Sequence, residues 1–313
     1  MSSLNIGDFF EHTFDLGEDY EGKVIATLME SPKHDASRPS ILYIHGLSDY
    51  FFQVHVAEAF HGQGFNFYGL DLRKHGRSLL PHQTPNYCRS VKEYFPEIDQ
   101  ALEFIHSKNH GDIILLGHST GGLTGSLYLN KGKNRKLTDK LILNSPFLQF
   151  NLLPWQRAIL LPLARIVSKF MPYASLKKPF SHLYGASISS KRHGEWDYNT
   201  DWKPLQGFPA YLKWASAMRK AQKIIHRNSD IEVPILILHS DKSSRYRSWN
   251  ENILKTDMVL NVEHIKTYGK KLGPHVTLAE IPEAMHDVFL SRTEVRKLAF
   301  QKMFSWLRNS ERT

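Results

Sequence analysis

The chain has 313 residues and a mass of 36.2 kDa, with 41% hydrophobic and 23% charged residues, a balance that excludes a disordered or fibrous protein. Its one cysteine, Cys88, excludes an intramolecular disulfide framework and a multi-cysteine metal site. The net charge of +9 is compatible with nucleic acid or an anionic membrane surface, but the basic residues are dispersed, which favours a solvated basic surface and no nucleic-acid partner.

The first eight residues, MSSLNIGD, have neither the basic start nor the apolar run of a secretory signal. No stretch of the sequence reaches the roughly 18 to 20 uninterrupted apolar residues that a membrane-spanning helix needs. We therefore expect a cytoplasmic protein without an integral membrane segment.

Apolar runs rich in β-branched residues alternate with longer helical patterns, which is typical of a mostly parallel sheet with helices on both faces. Runs 41–44, 113–116 and 235–238 are apolar throughout, which indicates central strands buried on both faces. The expected strands are 11–16, 23–29, 40–45, 66–70, 112–116, 140–143, 234–239 and 276–281. Helices are expected at 52–61, 91–107, 121–131 and 295–308.

This alternation stops between about residues 149 and 232, a segment without a convincing strand and dense in Pro, Trp, Tyr and Phe. A helix with one broad apolar stripe is predicted from Ile159, Leu160, Leu163, Ile166, Val167 and Phe170. Residues 216–227 predict another helix. We interpret 149–232 as a helical cap over one edge of the sheet, between core parts 1–148 and 233–313, although the stripe could instead pack on the core.

The strongest chemical signal is the run GHSTGG at 117–122, directly after an apolar run and before a helical pattern. A nucleophile on a sharp turn from strand to helix needs small neighbours, because the turn strains the backbone and brings other elements close. Gly117 and Gly121 flank Ser119 at two residues on either side. The pattern therefore predicts that Ser119 is a nucleophile.

A serine hydroxyl needs a histidine base, and an acid must orient that histidine. In this architecture the acid and then the histidine follow the serine along the chain. The histidines far enough along are His239, His264, His275 and His286. We prefer His286, which lies in the loop between the last strand and the last helix. Asp241, just after run 235–238, and Asp257, further on, both remain candidates for the acid.

Four motifs in this order resemble the α/β-hydrolase superfamily: HGL at 45–47, DLRKHGRS at 71–78, GHSTGG at 117–122 and MHD at 285–287. Within it, the chain is most similar to the monoglyceride lipase and lysophospholipase group of serine aminopeptidase-like hydrolases. The resemblance runs from about residue 20 to the C-terminus. It implies an α/β-hydrolase fold with about eight strands and a cap inserted between strands 6 and 7. The sequence has neither the spacing of a zinc site such as HExxH nor a glycine motif for a nucleotide, so we expect no metal and no cofactor.

The resemblance also implies which acid is used. In that group the acid begins a segment that reads Asp-x-Val-Val or similar, followed by a helix, a strand and the histidine. Asp257-Met-Val-Leu matches this plan, so we favour Asp257 and keep Asp241 as the alternative. The usual position of the acid corresponds to Ser243, which implies an insertion at 243–256.

By the same resemblance, the backbone N–H groups of Leu47 and Thr120 form the oxyanion hole. Asp71 and His75 are expected to shape a loop near the site without reacting.

The expected reaction is hydrolysis of a small or lipid-like carboxylic ester through an acyl-enzyme. Monoacylglycerols, lysophospholipids and medium-chain acyl esters are the substrates that the resemblance implies. Three alternatives remain: an amidase or aminopeptidase with the same triad, a non-catalytic ligand-binding protein of this fold, and a basic adaptor for nucleic acid or anionic lipid surfaces.

Overall fold

The computed structural model describes residues 4–176 and 182–310 and has an eight-stranded sheet at its centre. The strands are β1 (Phe10–Asp19), β2 (Gly22–Glu30), β3 (Ser40–Ile44), β4 (Asn66–Asp71), β5 (Ile113–His118), β6 (Lys140–Asn144), β7 (Ile235–Ser240) and β8 (Val276–Ile281). Their order across the sheet is β1-β2-β4-β3-β5-β6-β7-β8. β2 pairs antiparallel with β1 and β4, and the remaining neighbours run parallel.

Helices cover both faces of this sheet. They are α1 (Val54–His61), α2 (Phe95–Lys108), α3 (Thr120–Lys131), α4 (Pro154–Phe170), α5 (His182–Ile188), α6 (Leu212–Asn228), α7 (Val262–Gly269) and α8 (Thr293–Asn309). Because side chains alternate along a strand, Ile41 and Tyr43 join the apolar cluster that contains α1 and α8, whereas Leu42 and Ile44 join the cluster that contains α2 and α3. The predicted fold class, a mostly parallel sheet between two helical layers, is confirmed.

The expected helix at 91–107 is interrupted near its start. A 3-10 turn at Val91–Tyr94 precedes α2, which begins at Phe95. Pro96 explains the break, because proline has no N–H to donate and is tolerated only in the first turn of a helix.

The segment 149–232 contains α4, α5 and α6, of which α5 has no counterpart among the predicted elements. It also contains two short strands, Ser175–Leu176 and Ala210–Tyr211, which pair antiparallel. α6 contacts both α4 and α3 and so joins this segment to the layer above the sheet. Its division from the core as a separate cap stays a prediction.

The apolar stripe of α4 faces outward. The helix buries Leu161, Ala164 and Ser168, whereas Ile159, Leu163, Ile166 and Phe170 are exposed. The alternative in which the stripe packs on the core is therefore wrong. Within residues 4–176 and 182–310, none of the helices combines the length and apolar character needed to cross a bilayer.

Candidate active site

Ser119 lies in a strained turn between β5 and α3, with φ of 52° and ψ of −113°. A positive φ is unfavourable for a residue with a side chain. The N–H of Ser119 holds the turn by donating to the carbonyl oxygen of Asn144 at the end of β6, at 3.0 Å. A methyl group on Gly121 would lie 2.3 Å from the carbonyl oxygens of Ile44 and His45, so only glycine lets α3 approach β3 this closely.

Ser119, His286 and Asp257 form one hydrogen-bonded chain. The Nε2 atom of His286 lies 2.9 Å from Oγ of Ser119, and its Nδ1 atom lies 2.9 Å from Oδ2 of Asp257. Because an ionised carboxylate only accepts hydrogen bonds, Nδ1–H donates to Asp257 and leaves Nε2 to accept the serine hydroxyl. The structure thus brings together the three residues that the sequence singled out. All three are buried.

Asp257 reaches this position through a loop that leaves the end of β7 and returns to it. Asp257 forms an isolated parallel bridge with Ser243 and donates its N–H to the carbonyl oxygen of Lys242 at 3.0 Å. Its Oδ1 atom accepts the N–H groups of Val259 and Leu260, each at 2.8 Å. The carboxylate is thereby fixed beside the position at which the resemblance expects the acid.

Asp241, the alternative acid, points elsewhere. Its Oδ1 atom accepts the N–H of Glu283 at 2.9 Å, and its Oδ2 atom lies 3.8 Å from Nζ of Lys242. No hydrogen bond joins it to His286 among the described residues. Asp241 therefore braces the loop that carries His286 without contacting the imidazole.

The other candidate histidines lie outside this chain of contacts. His239 hydrogen-bonds to the carbonyl oxygen of Ser240 at 2.7 Å, His264 contacts Arg157, and His275 is exposed.

The expected oxyanion-hole donors, Leu47 and Thr120, both line the cavity above Ser119. Thr120 is the first residue of α3, where an N–H has no partner within the helix. Among the described residues, the N–H of Leu47 has no hydrogen-bond acceptor. Next to it, Ser48 is held on both sides: its N–H donates to Asn86, and its hydroxyl accepts the N–H of Phe208.

A buried ion pair holds the loop after β3, and no pattern in the sequence predicted it. Nζ of Lys203 lies 2.7 Å from Oδ1 of Asp49, and both side chains are at least nine-tenths buried. Burial alone would raise the pKa of Asp49, but Lys203 acts with His45 and His118 in the opposite direction, and together they lower it. The pair joins the loop after β3 to the segment between α5 and α6.

Asn144 is a second contact residue that sequence reasoning missed. Besides accepting the Ser119 N–H, it donates its side-chain amide to Oδ1 of Asp287 at 2.6 Å. It therefore links the nucleophile turn to the loop that carries His286. The available signal was a polar residue at the end of a buried strand, which marks the edge where loops and ligands meet.

Asp71 and His75 have structural contacts, as expected. Asp71 accepts the N–H of Phe51 at 2.7 Å and pairs with Arg77 at 2.8 Å. His75 is buried and hydrogen-bonds to the carbonyl oxygen of Arg73 at 2.8 Å.

A cavity of about 740 Å³ opens above Ser119. Most of its lining is apolar and includes Phe147, Phe150, Leu161, Leu205, Trp214 and Leu260. Such a volume and lining suit a single acyl or aryl group. Among the described residues, no cluster of His, Cys, Asp and Glu could hold a metal ion, and the expectation of no metal or cofactor stays a prediction.

A family model of serine aminopeptidases, S33, matches residues 35–292. The chain belongs to this family. Membership confirms the resemblance to the serine aminopeptidase-like α/β hydrolases that was drawn from the four motifs. No curated protein matches the sequence significantly.

Solved structures share the fold along almost the whole chain. A soluble variant of monoglyceride lipase from Saccharomyces cerevisiae, in complex with a substrate analog, has a TM-score of 0.72 at 17% identity, covering 98% of this chain and 97% of its own. A carboxyl esterase from Bacillus coagulans in complex with glycerol has a TM-score of 0.66 at 13% identity, with 96% and 98% covered. Est1E from Butyrivibrio proteoclasticus with ferulic acid bound has 0.58 at 18% identity, with 93% and 96% covered. At these identities the likeness establishes a common fold.

Buried neutral histidines near the site should make the fold sensitive to acid. Burial lowers the pKa of His45 from 6.5 to about 4, and it lowers the pKa of His75 to about 3. The neutral His45 ring donates to the carbonyl oxygen of Gly46 at 2.8 Å and accepts the N–H of Leu72 at 3.1 Å, so a second proton would oppose that N–H.

Since the unfolded chain binds these protons more readily, their contribution to stability is complete above pH 6.5 and is lost as the pH falls toward about 4. For His45 alone the lowering corresponds to about 3 kcal/mol. We expect the free energy of unfolding, measured by urea denaturation, to fall over this range. His45→Gln should reduce the slope by about one proton, whereas exposed His106→Gln should not. An unchanged slope in the His45 variant would contradict this account.

Proposed function

We propose that this protein is a serine hydrolase that cleaves carboxylic esters of apolar acyl groups through an acyl-enzyme. The observation that carries the proposal is the chain of contacts from Ser119 through His286 to Asp257 at the floor of an apolar cavity. A serine, a histidine and an acid in this geometry are the elements of nucleophilic acyl transfer.

In the proposed reaction, His286 Nε2 takes the Ser119 proton while Oγ attacks the acyl carbon. Asp257 keeps the proton on Nδ1 and stabilises the imidazolium that forms. The N–H groups of Leu47 and Thr120 hold the oxyanion of the tetrahedral intermediate. His286 then returns the proton to the departing alcohol, and water releases the acid by the same steps in reverse order.

The apolar cavity favours an ester substrate whose acyl group is a lipid-like chain. Its apolar lining includes the buried Phe147, whose N–H donates to the carbonyl oxygen of Ser119, and Leu160 and Leu163, which are exposed at the surface. We propose monoacylglycerols first, and lysophospholipids and medium-chain esters next. The monoglyceride lipase and carboxyl esterase of the same fold support this order. We also propose that the protein acts in the cytoplasm.

The same triad could cleave amides, and the family takes its name from aminopeptidases. An aminopeptidase needs a free carboxylate to bind the substrate's amino group. Among the described residues that line the cavity, Asp49 is the only carboxylate, and Lys203 already neutralises it. This pairing favours ester over aminopeptidase substrates. Faster hydrolysis of an aminoacyl anilide than of a monoacylglycerol would overturn that preference.

Ser119→Ala tests the nucleophile. We expect kcat for ester hydrolysis to fall by about 10⁵-fold or more, since the acyl-enzyme no longer forms. Thermal unfolding should stay close to that of the unmodified chain. A fluorophosphonate probe should label the unmodified protein and not the variant. Slow or absent labelling of the unmodified protein would instead favour a non-catalytic ligand-binding protein.

Paired substitutions of the two acids test the assignment of Asp257. Asp257→Asn should lower kcat by about 10⁴-fold, because the imidazole loses the partner that fixes its tautomer. Asp241→Asn keeps a side chain of the same size and should lower kcat by less than about tenfold, since Asp241 only braces the loop. Inactivation by the second change and not by the first would reverse the assignment.

We propose that the Asp49–Lys203 pair positions the loop after β3, which carries Leu47. Lys203→Gln leaves Asp49 buried without its partner, so the loop around Leu47 should shift. We expect kcat to fall by about tenfold to a hundredfold, with a smaller change in KM.

The double variant Asp49→Asn and Lys203→Gln removes both charges and should recover part of kcat. A purely structural role would change the melting temperature of the single variant and leave kcat of the folded protein unaltered.

A further inference from the structure

A groove between α4 and α6 is lined by basic side chains from both helices. Its volume is about 1020 Å³, and no Asp or Glu lines it in the described part of the chain. We call it the basic groove. Its basic residues are Arg89, Arg157, Arg165, Lys169, Lys213, Arg219, Lys220, Lys223 and Arg227.

These charges are not neutralised by the protein. None of the nine forms an ion pair with a carboxylate within residues 4–176 and 182–310. Arg157 and Arg219 contact neutral groups, His264 and Gln149 respectively. Six of the nine side chains are exposed, so their positive charge faces solvent and attracts anions over a distance of about 10 Å: Arg89, Arg165, Lys169, Lys220, Lys223 and Arg227.

The exposed apolar face of α4 lies beside this groove. It consists of Trp155, Ile159, Leu163, Ile166 and Phe170, which are 52% to 81% exposed. Arg165 and Lys169 stand on the same helix, along the flank that lines the basic groove. An apolar face with a basic flank is the pattern of a helix that lies in the surface of a membrane.

α4 also connects the basic groove to the cavity above Ser119. Ile166 lines the groove, whereas Leu160 and Leu163 line the cavity, and all three are exposed. The apolar face therefore lies between a surface suited to anionic groups and an opening suited to an acyl chain.

We propose that this surface binds an anionic phospholipid bilayer. The basic groove takes the phosphate-bearing headgroups, and the apolar face of α4 enters the boundary between headgroups and acyl chains. Each basic residue near such a surface adds to binding, and the buried apolar area adds independently. Nucleic acid would neutralise the basic groove but would leave Ile159 and Phe170 in water. A bilayer contacts both the basic groove and the apolar face of α4.

Co-sedimentation with vesicles tests this proposal without depending on the proposed hydrolysis, because Ser119→Ala is used as the background. The vesicles contain either phosphatidylcholine alone or phosphatidylcholine with phosphatidylserine. We expect the partition coefficient to be at least about tenfold higher on the anionic vesicles and to fall as salt is raised.

Two sets of variants separate the contributions. Lys220→Gln, Lys223→Gln and Arg227→Gln together should lower binding to anionic vesicles by at least about tenfold. The matched change at exposed lysines elsewhere, Lys33→Gln, Lys131→Gln and Lys136→Gln, should alter binding by less than about twofold. Ile159→Gln with Phe170→Gln should also lower vesicle binding by at least about tenfold.

Each of three results would overturn the proposal: equal binding to neutral and anionic vesicles, an equal loss in the control triple variant, or retention by duplex DNA without binding to vesicles. Near-native melting temperatures in all variants show that a lost partition reflects the surface and not the fold. Should Ser119 prove not to be a nucleophile, the vesicle result still stands by itself.

Discussion

The candidate site depends on one geometric constraint: the parallel strands at the centre of the sheet all end at the same edge. β3, β5, β6 and β7 run in one direction, so the residues that follow them meet above that edge. His45, Ser119, Asn144 and Asp257 are distant in the sequence and adjacent in the fold for this reason. The hydrogen bond from the Ser119 N–H to Asn144 makes the nucleophile turn part of the sheet's own bonding pattern.

The loop after β3 is also held by residues of the segment 149–232. Ser48, Asp49 and Tyr50 each contact the segment that precedes α6: Ser48 accepts the N–H of Phe208, Asp49 pairs with Lys203, and the Tyr50 hydroxyl accepts the N–H of Asn199. Three consecutive residues are thus tied to one stretch of 149–232. A movement of that stretch would displace Ser48 and, with it, the neighbouring Leu47.

The sequence was informative where a local pattern has one structural solution. Continuous apolar runs predicted the central strands, and GHSTGG predicted the turn at Ser119, because only small residues permit that backbone. The contact between His286 and Ser119 was predicted from the position of His286 in the loop between the last strand and the last helix. Lys203 and Asp49 could not be paired in advance, since a partner 154 residues away leaves no periodic signal. The outward stripe of α4 was also hidden, because periodicity defines a face and not the direction in which it points.

The acid illustrates a further property of this chain. Between the paired residues Ser243 and Asp257 the backbone makes an excursion whose two ends are joined by the hydrogen bonds Asp257 N–H to Lys242 O and Ser244 N–H to Asp257 O. The entropic cost of closing such an excursion grows only slowly with its length. Its length can therefore change in related chains without displacing the carboxylate. A foreign peptide would be grafted at the exposed residues Arg247 and Ser248, because Arg245 and Tyr246 line the cavity and Ile253 is buried.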